Sequence, residues 1–205
     1  MKVPDLVDVL DEREDDDPQA ITLLVTGGAG AVGPAVRWAS RAPVLDLRTI
    51  EVALRDEDDL AHNAQRFLTA LDACEDDLSE VSVFLELPRW YDAPSAGWLR
   101  ALDEIAAAEL GVKLRVTDRS AEELATTIDA ALDRELPLRC TGALSTAVTG
   151  AEPDTGTTRF GFLNLLAGRD TETLTRTRQW LRGISTPNLL EVHDELVDLG
   201  LLAGP

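Results

Sequence analysis

The residues best suited to chemistry in this sequence are charged side chains at alternate positions of four predicted strands. Successive side chains of a strand point to opposite faces of its sheet, so residues two apart share a face. By this alternation one interior receives two acids and three bases, namely Glu51, Glu86, Lys113, Arg115 and Arg139. Buried charges are costly unless they are paired, and here acids and bases lie within reach of one another. The pattern therefore predicts either a self-satisfied ion network or a small anion site.

Lys113 is the first candidate for a catalytic residue, because the sequence contains only one other lysine, Lys2. A lysine on a strand beside carboxylates can be a Schiff-base nucleophile or a proton shuttle if burial lowers its pKa. Glu86 or Glu51 would then be its acid/base partner and complete the catalytic set. The alternative is that Lys113 only neutralises Glu86.

The candidate ligand-binding residues of such a site are Arg115, Arg139 and Thr141, which approach the carboxyl ends of their predicted strands. Folds built on parallel strands bind ligands at those ends. We therefore expect the ligand to be a small anionic metabolite, such as a carboxylate.

No metal site is expected. The two histidines, His62 and His193, and the two cysteines, Cys74 and Cys140, are scattered along the chain without metal-ligand spacing. The cysteines are also too few and too far apart for a disulfide framework, which favours reduced thiols in a cytoplasmic protein.

A glycine-rich stretch from Leu24 to Gly33 resembles the nucleotide-binding turn of short-chain dehydrogenases, in which glycines admit a pyrophosphate to a helix N-terminus. Three features count against that function. The helix predicted after the turn is short, Asp46 comes too early to be the ribose-binding acid, and Tyr91 has no lysine four residues after it. We therefore expect a tight strand-to-helix turn that binds no cofactor.

Strands and helices alternate along the chain. Strands are predicted at 21–26, within 44–54, and at 81–87, 112–117 and 138–141, with helices at 34–40, 59–71, 98–110 and 120–132. Ser120 and Glu123 form a capping box, and Gly111 is expected to stop the helix before it. Strand–helix–strand connections of this length are right-handed and produce parallel sheets. The sequence predicts an α/β fold with about five parallel strands, either an incomplete TIM-like (β/α) barrel or an open parallel sheet.

The length suits a single α/β domain spanning 1–205. Residues 1–18 are expected to hold a short amphipathic helix and an acidic linker, and 151–158 a loop. Further helices are predicted at 160–166 and 171–182, and a final one within 186–205. The apolar face of that final helix would carry Leu189, Leu190, Leu196 and Val197. More amphipathic helices than strand faces to cover them indicate a homodimer.

The formal net charge is −19, which repels nucleic acids and anionic lipids, so neither is expected as a partner. No segment of the sequence approaches membrane-spanning length, and its start lacks a basic region followed by an apolar run. A cytoplasmic protein is therefore expected.

The motifs from Val81 onward are similar to those of an uncharacterised bacterial family. That family has Glu-Leu-Pro, Lys-Leu-Arg, Lys-x-Thr-Ala-Gly-Leu-His-His and Gly-Phe-Leu-Asn motifs, which match Glu86–Pro88, Lys113–Arg115, Arg139–Leu144 and Gly161–Asn164 here. The resemblance implies the fold and the place of a site, with Asn164 as a further ligand-binding residue, and implies no particular chemistry.

This chain departs from that pattern in a way that bears on catalysis. Arg139 replaces a lysine, and Ser145 and Thr146 stand where the histidine pair would be, which removes the best acid/base groups near neutral pH. Two functions are therefore expected: an enzyme or binder for a small anionic metabolite, or a non-catalytic scaffold, regulatory protein or inactive diverged member whose ionic interior is structural.

Overall fold

The computed structural model describes residues 18–55, 59–117, 119–142, 146–151, 158–161, 163–164, 177, 179–184 and 189–202. The chain divides into two compact units, Met1–Leu110 and Gly111–Pro205. Strands alternate with helices in each unit, so the predicted α/β class is confirmed. No helix within the described residues is long and apolar enough to cross a membrane.

The first unit contains three parallel strands and three α-helices among its described residues. Its elements are β1 (Gln19–Val25), a 3-10 turn (Ala29–Ala31), α1 (Val32–Arg41), β2 (Leu45–Ala53), α2 (Leu60–Asp72), a second 3-10 turn (Glu75–Asp77), β3 (Ser82–Glu86) and α3 (Ala96–Ala107). The central strand is β2, which pairs in parallel with both β1 and β3. Its alternate residues Ile50 and Val52 are fully buried, and Phe67 of α2 and Leu102 of α3 are buried with them.

The second unit also contains three parallel strands among its described residues. Its elements are β4 (Gly111–Arg115), α4 (Ala121–Leu132), β5 (Leu138–Thr141), β6 (Gly150–Ala151), β7 (Thr158–Arg159), β8 (Leu181–Ile184) and α5 (Leu189–Asp198). The middle strand, β5, pairs in parallel with β4 and β8, while β6 and β7 form a short antiparallel pair. Leu132, Leu136 and Leu138 are the largest residues fully buried here.

Hydrogen-bonding side chains fix the starts of the helices. The Ser120 hydroxyl accepts the Glu123 N–H (3.1 Å) and the Glu123 carboxylate accepts the Ser120 N–H (2.9 Å), so the predicted capping box is confirmed. Asp59 caps α2 and Ser95 caps α3 in the simpler way, each accepting one backbone N–H.

Three of the described helices end with the same motif. The residue after the last turn has a left-handed backbone, and the leucine that follows donates its N–H to the carbonyl five residues earlier. The left-handed residues of α3, α4 and α5 are Glu109 (φ 56°), Glu135 (φ 55°) and Gly200 (φ 70°). The prediction that Gly111 stops α3 is wrong, because Glu109 takes the left-handed position and Gly111 begins β4 as a buried strand residue.

Two further predictions are corrected by the second unit. The structure describes six parallel strands rather than about five, because the second unit has a third one, β8. This strand begins with Leu181 and Arg182, which were predicted to end a helix. In α5 the buried residue is Val192, whereas Leu189 and Leu190 of the predicted apolar face are exposed. The predicted helices at 3–12 and over 171–176, and the acidic linker at 14–17, lie outside the described residues.

Candidate functional site

The pairing of β4 with β5 brings four of the predicted site residues together. Lys113 lies directly opposite Arg139, and Arg115 lies directly opposite Thr141. Residues 113 and 115 share one face of β4, and 139 and 141 share the matching face of β5. Three cations and a hydroxyl therefore occupy one face of two neighbouring strands, with Arg115 and Thr141 at the carboxyl ends.

Burial differs sharply among these cations. Lys113 is only 7% exposed, Arg139 is half-buried, and Arg115 is exposed. Each of the three has a hydrogen-bond, ionic or ring contact. The Arg139 side chain runs over Gly183 of β8, with its Nε 3.7 Å from the place where a Cβ would stand. A Cβ at position 183 would therefore be in ordinary van der Waals contact with the Arg139 side chain.

The loops that follow β4 and β5 add two residues that the sequence did not single out. Arg119 donates its Nε–H to the carbonyl of Arg115 (2.8 Å), which holds the end of β4. Gly142 has a left-handed backbone (φ 84°), and a Cβ there would collide with the Thr117 hydroxyl. The signal that could have found Arg119 is its position just after a strand whose alternate residues are cationic.

Thr141 contributes a polar atom that remains available. Its hydroxyl oxygen is buried, and it has no hydrogen-bond partner among the described residues. Buried hydroxyls are nearly always hydrogen-bonded, so one without a partner marks a place where a ligand or a water molecule would bind. It lies on the strand-end face that Arg115 also occupies.

The two predicted acids belong to the first unit. Glu51 of β2 is opposite Phe84, and Glu86 of β3 is opposite Ala53, so the two glutamates are diagonal neighbours on one face. Glu51 is 6% exposed and Glu86 is half-buried. Each has a polar or ring contact of its own.

Asn164 has a structural role that explains the Gly-Phe-Leu-Asn motif. Its Oδ1 accepts the N–H of Thr149 (2.8 Å), and the Thr149 hydroxyl accepts the N–H of Gly161 (3.0 Å). A Cβ at Gly161 would collide with the backbone of residues 147–149. The motif therefore packs main chain against main chain, and no hydrogen bond of the Asn164 amide nitrogen occurs among the described residues.

The histidines and cysteines lie apart from this face. The His193 side chain is 45% exposed, and its Nδ1 lies 3.4 Å from the Asp194 carboxylate. Both cysteines are buried free thiols. Burial raises the pKa of the Cys140 thiol to about 12, since its strand neighbours are Leu114 and Ile184. No cluster of metal-ligating side chains occurs in the part of the chain that is described.

Comparison of the chain with protein-family models, with curated proteins and with solved structures finds no match.

Proposed function

We propose that the second unit binds a small anionic metabolite at the carboxyl ends of β4 and β5. The observation that carries this proposal is the register of these strands, which sets Lys113 against Arg139 and Arg115 against Thr141. Like charges directly opposite on neighbouring strands destabilise a sheet by about 0.2–1 kcal/mol. An anion placed over Arg139 and Arg115 offsets that repulsion.

The residues suited to contact the ligand are the two arginines and Thr141. Arginine presents a planar set of donors that matches a carboxylate, and bidentate pairs of this kind are among the strongest hydrogen bonds in proteins. The buried Thr141 hydroxyl adds a neutral donor at the strand end. Asn164 joins the proposal through its amide nitrogen, because its oxygen is engaged by Thr149.

Catalysis at this site is a further part of the proposal. Lys113 would act as nucleophile or proton shuttle within the second unit. Lys113 is nearly buried and lies opposite Arg139 in register, whereas Arg115 at the strand end is exposed, so we propose that the arginines make the first contact with a ligand.

The alternative function is that of a non-catalytic scaffold or regulatory protein with a structural ionic interior. It is favoured by the burial of Lys113 and Glu51, which are 7% and 6% exposed and already have contacts of their own. An inactive diverged member of the bacterial family fits this alternative, because Thr146 replaces one of the two family histidines.

Several finer features belong to the same proposal. We propose an incomplete TIM-like barrel or an open parallel sheet, and a single domain. We also propose a cytoplasmic protein, because both cysteines are free thiols. We also propose a homodimer with a mainly apolar interface. Five leucines at the end of the chain support it, since they are about half exposed or more: Leu189, Leu190, Leu199, Leu201 and Leu202.

The binding proposal is tested by calorimetric titration with succinate and citrate as probes. Arg139→Gln and Arg115→Gln should each weaken binding by about tenfold or more, because each removes a charge-assisted hydrogen bond. Arg182→Gln is the matched control. Gly183 of β8 is paired with Arg139, so the neighbouring Arg182 points to the other face of the sheet, and the change removes the same charge there. No saturable binding of either probe, or equal weakening in all three variants, would favour the scaffold.

The homodimer is tested by light scattering at low and high ionic strength. With −19 charges on each chain, salt should favour association by screening their repulsion. A strictly monomeric mass in both conditions, at high protein concentration, would contradict the dimer.

A further inference from the structure

A small pocket lies beside the glycine-rich turn of the first unit. Val25 of β1 and Val52 of β2 are paired in register, so the segments that follow these two residues leave the sheet side by side. The first is the glycine-rich turn and the second contains Arg55. The Arg55 guanidinium lies against Gly28, 3.4 Å from where a Cβ would stand. A pocket of about 80 Å³ opens between them.

Helix α2 provides the other wall of the pocket through three residues on one face, Asn63, Arg66 and Phe67. The Asn63 side chain is buried and donates its amide N–H to the carbonyl of Arg55 (3.1 Å), which anchors the residue that carries the guanidinium. Phe67 is 1% exposed and gives the pocket an apolar floor. Asn63 thus positions Arg55, while Arg66 brings a second guanidinium.

The turn itself must be built of glycines. A Cβ at Gly27 would stand 2.7 Å from the Cβ of Ala31, and Gly28 has a left-handed backbone (φ 80°). Without side chains there, the pocket wall on this side is main chain, whose N–H groups are hydrogen-bond donors. The described residues that line the pocket include two arginines and no acid.

We infer that this pocket binds a phosphate group, either inorganic phosphate or the phosphate of a small monoester. Donors from three separate segments suit a tetrahedral dianion, whereas one guanidinium alone satisfies a planar carboxylate. The volume is that of a few water molecules at about 30 Å³ each, which is enough room for one phosphate group. Among the described residues no carboxylate forms an ion pair with Arg55. This site is independent of the anion site proposed in the second unit.

Titration with inorganic phosphate and with glycerol 3-phosphate, followed by ³¹P NMR and calorimetry, tests the inference. The buffer should contain 0.15 M NaCl, because the Debye length is then about 8 Å and the distant negative charges of the chain are screened. Arg55→Gln should weaken phosphate binding by about tenfold or more. Arg41→Gln is the matched control: it removes the same charge at the far end of α1, roughly 15 Å along the helix from the turn.

The outcomes distinguish inorganic phosphate from a phosphate monoester as the ligand. They also distinguish the pocket of the first unit from the anion site proposed in the second unit. Tighter binding of glycerol 3-phosphate would identify a monoester as the ligand, and tighter binding of inorganic phosphate would identify the free anion. Arg182→Gln, which removes a positive charge from the second unit outside both proposed sites, should leave phosphate binding unchanged. Three results would overturn the inference: no saturable binding of either probe, equal weakening by Arg41→Gln, or binding lost only in Arg139→Gln.

Discussion

Replacing Lys113 by methionine tests whether this buried ammonium group stabilises the fold. Lys113 is 7% exposed and has a hydrogen-bond, ionic or ring contact. Methionine has similar length, so the change removes the charge and leaves little cavity. Removing one partner of a buried ion pair costs about 3–5 kcal/mol, because the other group is left buried without compensation.

A smaller effect acts in the opposite direction. Lys113 faces Arg139 in register, and relief of such a like-charge pair returns up to about 1 kcal/mol. The expected loss in the free energy of unfolding is therefore about 2–4 kcal/mol. With a urea m-value of about 1–3 kcal/mol/M, the midpoint of unfolding should fall by roughly 1 M or more.

The measurement is urea unfolding followed by both tryptophan fluorescence and circular dichroism. Three of the four tryptophans, Trp38, Trp90 and Trp98, belong to the first unit, so fluorescence alone would underweight the unit that carries Lys113. Arg48→Met is the control, because Arg48 forms an exposed ion pair with Asp46 (2.6 Å) that should contribute at most about 1 kcal/mol. An unchanged midpoint in Lys113→Met would refute the structural account and favour a role for Lys113 in the proposed site.

Three further predictions concern the glycine-rich turn, the Gly161 contact and the Cys140 thiol. Calorimetric titration with NAD(H) and NADP(H) should give no binding, because Asp46 comes too early to bind the ribose and pairs with Ala20 at the end of β1 away from the turn; a micromolar signal abolished by Gly30→Val would contradict this. Gly161→Ala should lower the free energy of unfolding by about 1–3 kcal/mol or more, because its methyl group meets backbone that cannot rotate away. Gly150→Ala is the control, because its Cβ would meet nothing within 4 Å and the change should have little effect. Equal melting temperatures of the two variants would contradict the prediction. Cys140, with a pKa of about 12, should resist thiol reagents in the folded protein at pH 8, where roughly one thiol in 10⁴ is ionised. Because the unfolded thiol ionises above its ordinary pKa of 9.0 while the folded one keeps its proton, stability should fall between pH 9 and about 12. Over that range the free energy of unfolding should fall more steeply in the wild type than in Cys140→Ala. The difference between the two slopes should be up to about 1.4 kcal/mol per pH unit; equal slopes would show that burial does not perturb this thiol.

Local signals in the sequence were enough to predict most elements of the fold. The capping box at Ser120 depends on residues three apart, and the buried strands are runs of apolar residues, so both can be predicted without tertiary information. Strand β8 could not be predicted in this way. It has only four residues, includes Gly183, and exists because β5 offers it a partner.

The candidate sites, too, could be predicted from the sequence only where they depend on a local pattern. Strand alternation alone predicts that Lys113 and Arg115 share a face. That Arg139 lies opposite Lys113 depends on the register of two strands, which the sequence does not specify. The pocket beside Gly28 depends on a second register and on the Asn63 hydrogen bond, which no pattern in the sequence indicates.

The repeated helix ending offers a way to ask whether the two units unfold together. Glu109 in the first unit and Glu135 in the second hold left-handed backbones that glycine adopts without strain. Glu109→Gly or Glu135→Gly should therefore stabilise its own unit by up to about 1 kcal/mol, without touching any proposed ligand contact. If the chain unfolds cooperatively, either change shifts one common transition; if the units are autonomous, each change shifts only its own. Substitutions at these two surface positions thus measure the energetic coupling between the units. That coupling determines whether a ligand bound to one unit changes the stability of the other.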